Sequence, residues 1–352
     1  GLASAASDTD EGSGLLKDIL GHDGLLSITD LLGAVPYMVP TYKVSDVSFC
    51  EAGGSVSADV AGGFAGNFES GKVNVFDDKD SQELVQAAAD APWAVYNLAS
   101  VIGRTYAGGY AGRMISGSLA DAGGGLSLLG DSLKVDLTQL LNVVSAYVPT
   151  VQQAGVRSAD ATKGFVVSAS ELDDTDAYSG SAGGFAGYAS GAQISECDVD
   201  CLRNTAVTEP ADLETADADE AQVYFDNQSA YAVTAPRYAG GYVGYLNIGS
   251  AAGVGSGLKV FKLVELSDLT SALNVVASTI EHSDVRGAAG GFAVLANGKE
   301  AATGVTGYAG GFAGKISGGQ IQDANCYNFS YVIGQTAAGG YAGEIEPGSV
   351  AD

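Results

Sequence analysis

Seven copies of one six-residue glycine–aromatic signature run along this chain, and they constrain its fold more than any other feature. Ala-Gly-Gly-Phe-Ala-Gly stands at Ala61–Gly66, Ala182–Gly187 and Ala309–Gly314, and Ala-Gly-Gly-Tyr-Ala-Gly at Ala107–Gly112 and Ala338–Gly343. Ala239–Gly244 reads Ala-Gly-Gly-Tyr-Val-Gly, and Ala289–Val294 reads Ala-Gly-Gly-Phe-Ala-Val. A signature that returns within one chain marks a repeat architecture in which each unit stacks on its neighbour. Glycine accounts for 51 of the 352 residues, about twice its usual share. The glycines gather in the signature rather than in linkers, which argues for corners where only a residue without a Cβ fits. The expectation is one ordered, all-β solenoid, its core drawn from the 46% of residues that are hydrophobic.

Two long internal matches support the repeat. Tyr106–Val144 aligns without gaps on Tyr238–Val276, and Val101–Asp121 aligns on Val332–Asp352. The second match ends the chain inside a repeat. Further sequence, or another subunit, is therefore expected to cover residues such as Ile345 and Val350.

The shortest signature spacings run from Gly290 to Gly310 and from Gly310 to Gly339. They suit a coil of three short strands. Gly314–Ile321 reads as strand, glycine corner and strand, Asp323–Asn328 as turn, and Phe329–Ile333 as a third strand. Longer spacings imply insertions with helical character. Asp80 to Glu83 has capping-box spacing before an apolar run. Leu137–Val148 and Leu269–Ile280 place Leu and Val at helical intervals, with a relative at Ile28–Thr41. The acidic stretch Glu209–Gln228 carries no clear pattern. Residues 1–60 read as an N-terminal segment with a helical insertion, and 61–352 as the repeat domain.

The run Gly310-Gly311-Phe312-Ala313-Gly314, followed by Gly319-Gln320-Ile321 and Ala324-Asn325-Cys326-Tyr327, resembles the GLUG-type repeat of bacterial surface proteins and immunoglobulin A1 peptidases. The resemblance is closest over Ala309–Gly343. It implies a right-handed parallel β-helix, extracellular and carried on a large cell-wall or adhesin polypeptide. Phe or Tyr replaces the family's Leu and Ala its Val, and helices are inserted here. The repeat carries no catalytic residues, so no activity comes with it.

In stacked coils, equivalent residues lie about 4.8 Å apart. Gly63, Phe64, Gly109, Tyr110, Gly184, Phe185, Gly241, Tyr242, Gly291, Phe292, Gly311, Phe312, Gly340 and Tyr341 are thus the structural repeat residues. Their rings are expected to stack in a ladder inside the core, where a hydroxyl is optional. An outward strip that stacks on sugars is the competing reading.

Chemistry has little to stand on. His22 and His282 are the only histidines, too few for a convincing nucleophile–base arrangement, and no His-Glu-x-x-His occurs. Cys50, Cys197, Cys201 and Cys326 lack zinc spacing, although Cys197 and Cys201 are close enough to bridge. Asp77-Asp78-Lys79-Asp80 and Asp173-Asp174-Thr175-Asp176 are the densest acidic clusters, and neither follows a calcium loop. No metal, cofactor or catalytic residue is assigned. The formal net charge of -26 opposes nucleic acid and anionic membranes, and no run approaches the roughly 18 apolar residues of a membrane span.

These features point to a non-catalytic stalk or adhesin of the bacterial cell surface, whose partner is a protein or glycan of a host or neighbouring cell. A carbohydrate-active β-helix enzyme using paired carboxylates, and a filament subunit joined end to end, are the alternatives.

Overall fold

The structure is a computed structural model that describes residues 41–42, 47–48, 54–69, 71–73, 93–96, 98–116, 148–158, 160, 162–203, 231–249, 277–298 and 306–351. Within them the chain is all-β. Its strands form four sheets, here I to IV, of seven, six, ten and six strands. All pairings between strands are parallel, and each circuit visits sheets I, II, III and IV before re-entering sheet I.

The final circuit shows the unit at its shortest. Gln320–Gln322 lies in sheet I, Cys326–Tyr327 in sheet II, Phe329–Gly334 and Ala337–Gly339 in sheet III, and Ala342–Ile345 in sheet IV. Gly310 and Gly339 face each other on adjacent strands. A circuit thus holds five short strands rather than three. Cys326–Tyr327, read from sequence as part of a turn, is a strand because Cys326 continues a column of valines: Val156, Val199 and Val285.

Such columns explain the register. One β-branched or apolar side chain per strand points to the core at the same height in every circuit. In sheet I these are Val73, Val151, Ile194, Ile280 and Ile321. In sheet III they are Val56, Val101, Val167, Val233, Val294 and Val332. Sheet IV supplies Phe68, Met114, Ala189, Leu246 and Ile316, and Ile345 keeps their register but is exposed. Members of the columns from all four sheets join one core cluster. Slipping any strand by one residue would turn its whole row outward, which is the physical reason the registers agree.

The signature forms the corner between sheets III and IV, and each of its small residues answers a separate contact. A Cβ on the first glycine (Gly62, Gly108, Gly183, Gly240, Gly310, Gly339) would collide with the carbonyl oxygen three residues on in the same corner. A Cβ on the second (Gly109, Gly184, Gly241, Gly311) would collide with the carbonyl of the equivalent glycine in the next circuit. A Cβ on the last glycine would meet backbone too, as at Gly187, 2.7 Å from the Ala107 and Gly112 oxygens. The aromatic then projects into the core. Phe64, Tyr110, Phe185, Tyr242, Phe312 and Tyr341 stack with centroids 4.7–5.1 Å apart and planes within 15°.

Gly291 and Phe292 stand outside this ladder. Phe292 opens the strand Phe292–Ala296 in sheet III and meets Phe329 edge-on at 6.2 Å. The cause is the last signature position: where the other copies have glycine this one has Val294, which joins the valine column of sheet III. The step from Gly290 to Gly310 is therefore not a circuit. Gly310 pairs instead with Gly240, so the circuit before the last runs all the way from Gly240 to Gly310.

Left-handed residues turn two other corners. Between sheets IV and I they are glycines, Gly191, Gly318 and Gly348, while between I and II they are Gln153, Glu196, His282 and Asp323. The inserted helices expected at Asp80–Ala89, Leu137–Val148, Leu269–Ile280 and Ile28–Thr41 lie outside the described residues except at their ends, as does the acidic stretch Glu209–Gln228. Where an end is described, the helix reading fails: Thr279–Glu281 is a strand, with Ile280 fixed in the core of sheet I by its column neighbours. The strand Gly54–Gly62 runs across the boundary drawn at residue 60.

Candidate functional site

Alternation along a strand sends the residue before the signature, and the one after it, to the outer face. The first position gives the column Val60, Tyr106, Ser181, Tyr238, Tyr308 and Ala337 in sheet III. The second gives Asn67, Arg113, Tyr188, Tyr245, Lys315 and Glu344 in sheet IV. The sharp glycine corner swings these two columns towards each other. Tyr106 packs on Tyr188 at 6.0 Å, and Tyr238 on Tyr245 at 4.8 Å. Tyr106, Tyr188, Tyr238 and Tyr245 are buried in this way, forming an apolar cluster separate from the core.

Basic side chains lie over these rings. Arg113 sits 5.3 Å above Tyr106, and Lys315 lies 5.6–5.9 Å from Tyr238, Tyr245 and Tyr308. Such contacts draw on the negative face of the ring. Lys315 also meets Glu344 at 2.8 Å and Glu346 at 2.7 Å. Burial works against its charge, but the two carboxylates outweigh that and hold the ammonium above the ordinary lysine range. Burial raises the phenols of Tyr106, Tyr188, Tyr238 and Tyr245 above their usual value. They are therefore neutral hydrogen-bonding groups at neutral pH, with their rings buried against one another.

The third circuit has Ser181 where its neighbours have tyrosine. Tyr178, just upstream, fills the gap: its ring stacks on Tyr188 at 5.1 Å and 13°, and tilts against Tyr245 at 5.6 Å. The connection that carries it is pinned throughout. The buried Ser179 hydroxyl donates to the Asp176 carbonyl at 2.8 Å and accepts the Asp173 amide at 2.8 Å, and the Ser181 hydroxyl donates to the Tyr178 carbonyl. Arg237 donates to the Ala177 carbonyl at 2.6 Å, and the Tyr106 hydroxyl to the Asp176 carboxylate at 2.5 Å. Tyr178 is 40% exposed, more than any other ring of the patch.

The acidic cluster of this connection is structural in part. Asp173 accepts hydrogen bonds from the Thr175 hydroxyl and amide, which hold its carboxyl below the usual range. Asp77, Asp78, Asp80, His22 and Cys50 lie outside the described residues. His282 is exposed and 3.4 Å from Asp323. A second concentration of charge, on sheet II, ties circuits together. Arg286 meets Asp284 at 2.6 Å and Asp198 and Asp200 at 3.3 Å. Asp198 accepts the Asp284 amide, and Asp284 accepts the Asn325 amide.

Cys197, Cys201 and Cys326 are free thiols. Cys197 and Cys201 do not bridge, since Cys197 points into the core and donates to the Ser195 carbonyl at 3.1 Å. Burial pushes its thiol far up, and the thiolate is the reactive form. Alkylation of the native protein should therefore modify Cys201 and Cys326, both partly exposed, well before Cys197. Peptide mass spectrometry across a denaturant series checks this, and equal rates for all three under native conditions would contradict the burial.

The core ladder follows from the signature itself, whereas the outer tyrosines carry their signal beside it. Tyr106, Tyr238 and Tyr308 immediately precede a signature, and Tyr188 and Tyr245 immediately follow one. Comparison with protein families, curated proteins and solved structures finds no match.

Proposed function

We propose that this chain is a right-handed parallel β-helix serving as a non-catalytic, structural and adhesive segment of a large bacterial surface protein. The observation that carries the reading is the repetition of role at every height. Core columns, aromatic ladder, glycine corners and the Arg286 charge network all join one circuit to the next. A stack of this kind gains length by adding circuits without a new folding problem, which suits a stalk. Each added circuit extends it by about 4.8 Å. The GLUG-like pattern of Ala309–Gly343 supports an extracellular setting, with helical insertions decorating the stack and a protein or glycan of another cell as partner.

Electron microscopy of the purified chain should show rods whose length grows when circuits are added, and surfaces coated with it should retain cells. A compact particle that neither lengthens nor adheres, or one that hydrolyses glycans in a substrate screen, would replace this reading.

A further inference from the structure

We propose that the exposed face of Tyr178 is a docking point for a basic side chain, lysine or arginine, of a partner protein. The inference rests on the adhesive half of the function proposed above and names its chemistry. Its warrant lies in the same tyrosine row. Where the tyrosine row is closed, the protein supplies the cation itself, Arg113 over Tyr106 and Lys315 over Tyr238, Tyr245 and Tyr308. Tyr178 continues that row, is the most exposed ring in it, and has no cation over it among the described residues.

Charge along this connection favours the same occupant. Arg104 is engaged by Asp59 and Glu171, Arg113 by Asp176, and Arg237 by the carbonyls of Asp176 and Ala177. Asp174 has no ion-pair partner among the described residues, and Asp173 meets Arg104 only through its longer-range field, with no contact within 4.0 Å. An incoming lysine or arginine would therefore meet a π-face, the Asp174 carboxylate and the Asp173 carboxylate, neither of them in a close ion pair, in one short connection. An anionic ligand would meet repulsion, from these groups and from the net charge of -26. The connection is already fixed by Ser179, Ser181 and Arg237, so little conformational freedom is lost on binding.

The test is titration of the full chain with an arginine-rich peptide and with its citrulline counterpart, which keeps the shape and removes the charge. Binding is followed by the ring resonances of Tyr178. The arginine peptide should bind, weaken as salt is raised, and shift Tyr178, while the citrulline peptide should not. Tyr178→Leu should weaken binding about two- to five-fold, the range for an exposed cation–π contact. Tyr178→Phe keeps the ring and should bind like the parent. Asp173→Asn with Asp174→Asn should flatten the salt dependence. Equal binding of both peptides, an unmoved Tyr178, or ring shifts produced by neutral sugars alone would overturn the proposal. A chain that still retains cells but fails this titration rejects only the cationic site. One that retains no cells at all rejects the adhesive reading beneath it.

Discussion

Gly241→Ala is expected to destabilise the protein by about 3 kcal/mol or more, the upper range for overpacking a filled site. The added methyl would collide with the Gly311 carbonyl oxygen of the next circuit and approach Phe292 Cε2 to 2.7 Å. The obstacle is backbone, and it is held: the Gly241 amide donates to Gly310 and the Gly311 amide to Gly339, each at 3.2 Å. Relief would require breaking one of these bonds or separating two circuits. Gly340 is the internal control. It occupies the same signature position, yet a Cβ there would meet only Phe329 Cζ at 3.5 Å, an ordinary contact. Gly340→Ala should shift stability by less than about 1 kcal/mol. Denaturant midpoints of the two variants decide the matter, and equal midpoints would remove the claim that close stacking fixes these glycines.

Tyr242→Ala should cost about 3–5 kcal/mol, the usual penalty for emptying a buried aromatic site. Tyr242 is fully buried between Phe185 at 5.1 Å and Phe312 at 4.7 Å, so its removal opens two stacked contacts at once. The hydroxyl makes a separate contribution, since it donates to the Cys197 carbonyl at 2.8 Å. Tyr242→Phe should therefore cost about 1 kcal/mol. Tyr110 occupies the same ladder, but its buried hydroxyl has no hydrogen-bond partner among the described residues. Tyr110→Phe should be neutral or stabilising, because the desolvation of an unpaired group is removed. If Tyr110→Phe and Tyr242→Phe change the unfolding free energy alike, the hydroxyl of Tyr242 does not act as described.

The architecture was legible because its corners are expensive to build from anything but glycine. Gly-Gly-aromatic marked every passage from sheet III to sheet IV, and the stacking of the core aromatics followed from their equal places in the repeat. Gly291 and Phe292 share the first five signature positions with the true corners and differ only at the sixth. Val294 fits a pleated column and not a corner crossed by neighbouring backbone. Leu269–Ile280 misled at its end for a related reason: Ile280 satisfies a helical interval and a strand column equally, and only its neighbours Ile194 and Ile321 decide between them. The outer tyrosines were legible in principle. What the sequence could not display is the sharpness of the corner that brings positions 238 and 245 to 4.8 Å ring to ring. Nor could it indicate that Tyr178 would take the place left empty by Ser181.

The register columns also turn the molecule into a ruler whose unit is independent of the chain between its marks. The polypeptide makes its longest excursion between Gly108 and Gly183 and a far shorter one between Gly310 and Gly339, yet in each case the two glycines are partners on adjacent strands. Either excursion raises the chain by one strand spacing. Whatever hangs on a connection is therefore positioned by counting turns, not residues. Two attachment points on one flank are separated by whole multiples of about 4.8 Å. A partner that grips several of them would read a fixed periodicity, and connections can change in length and composition without disturbing that scale.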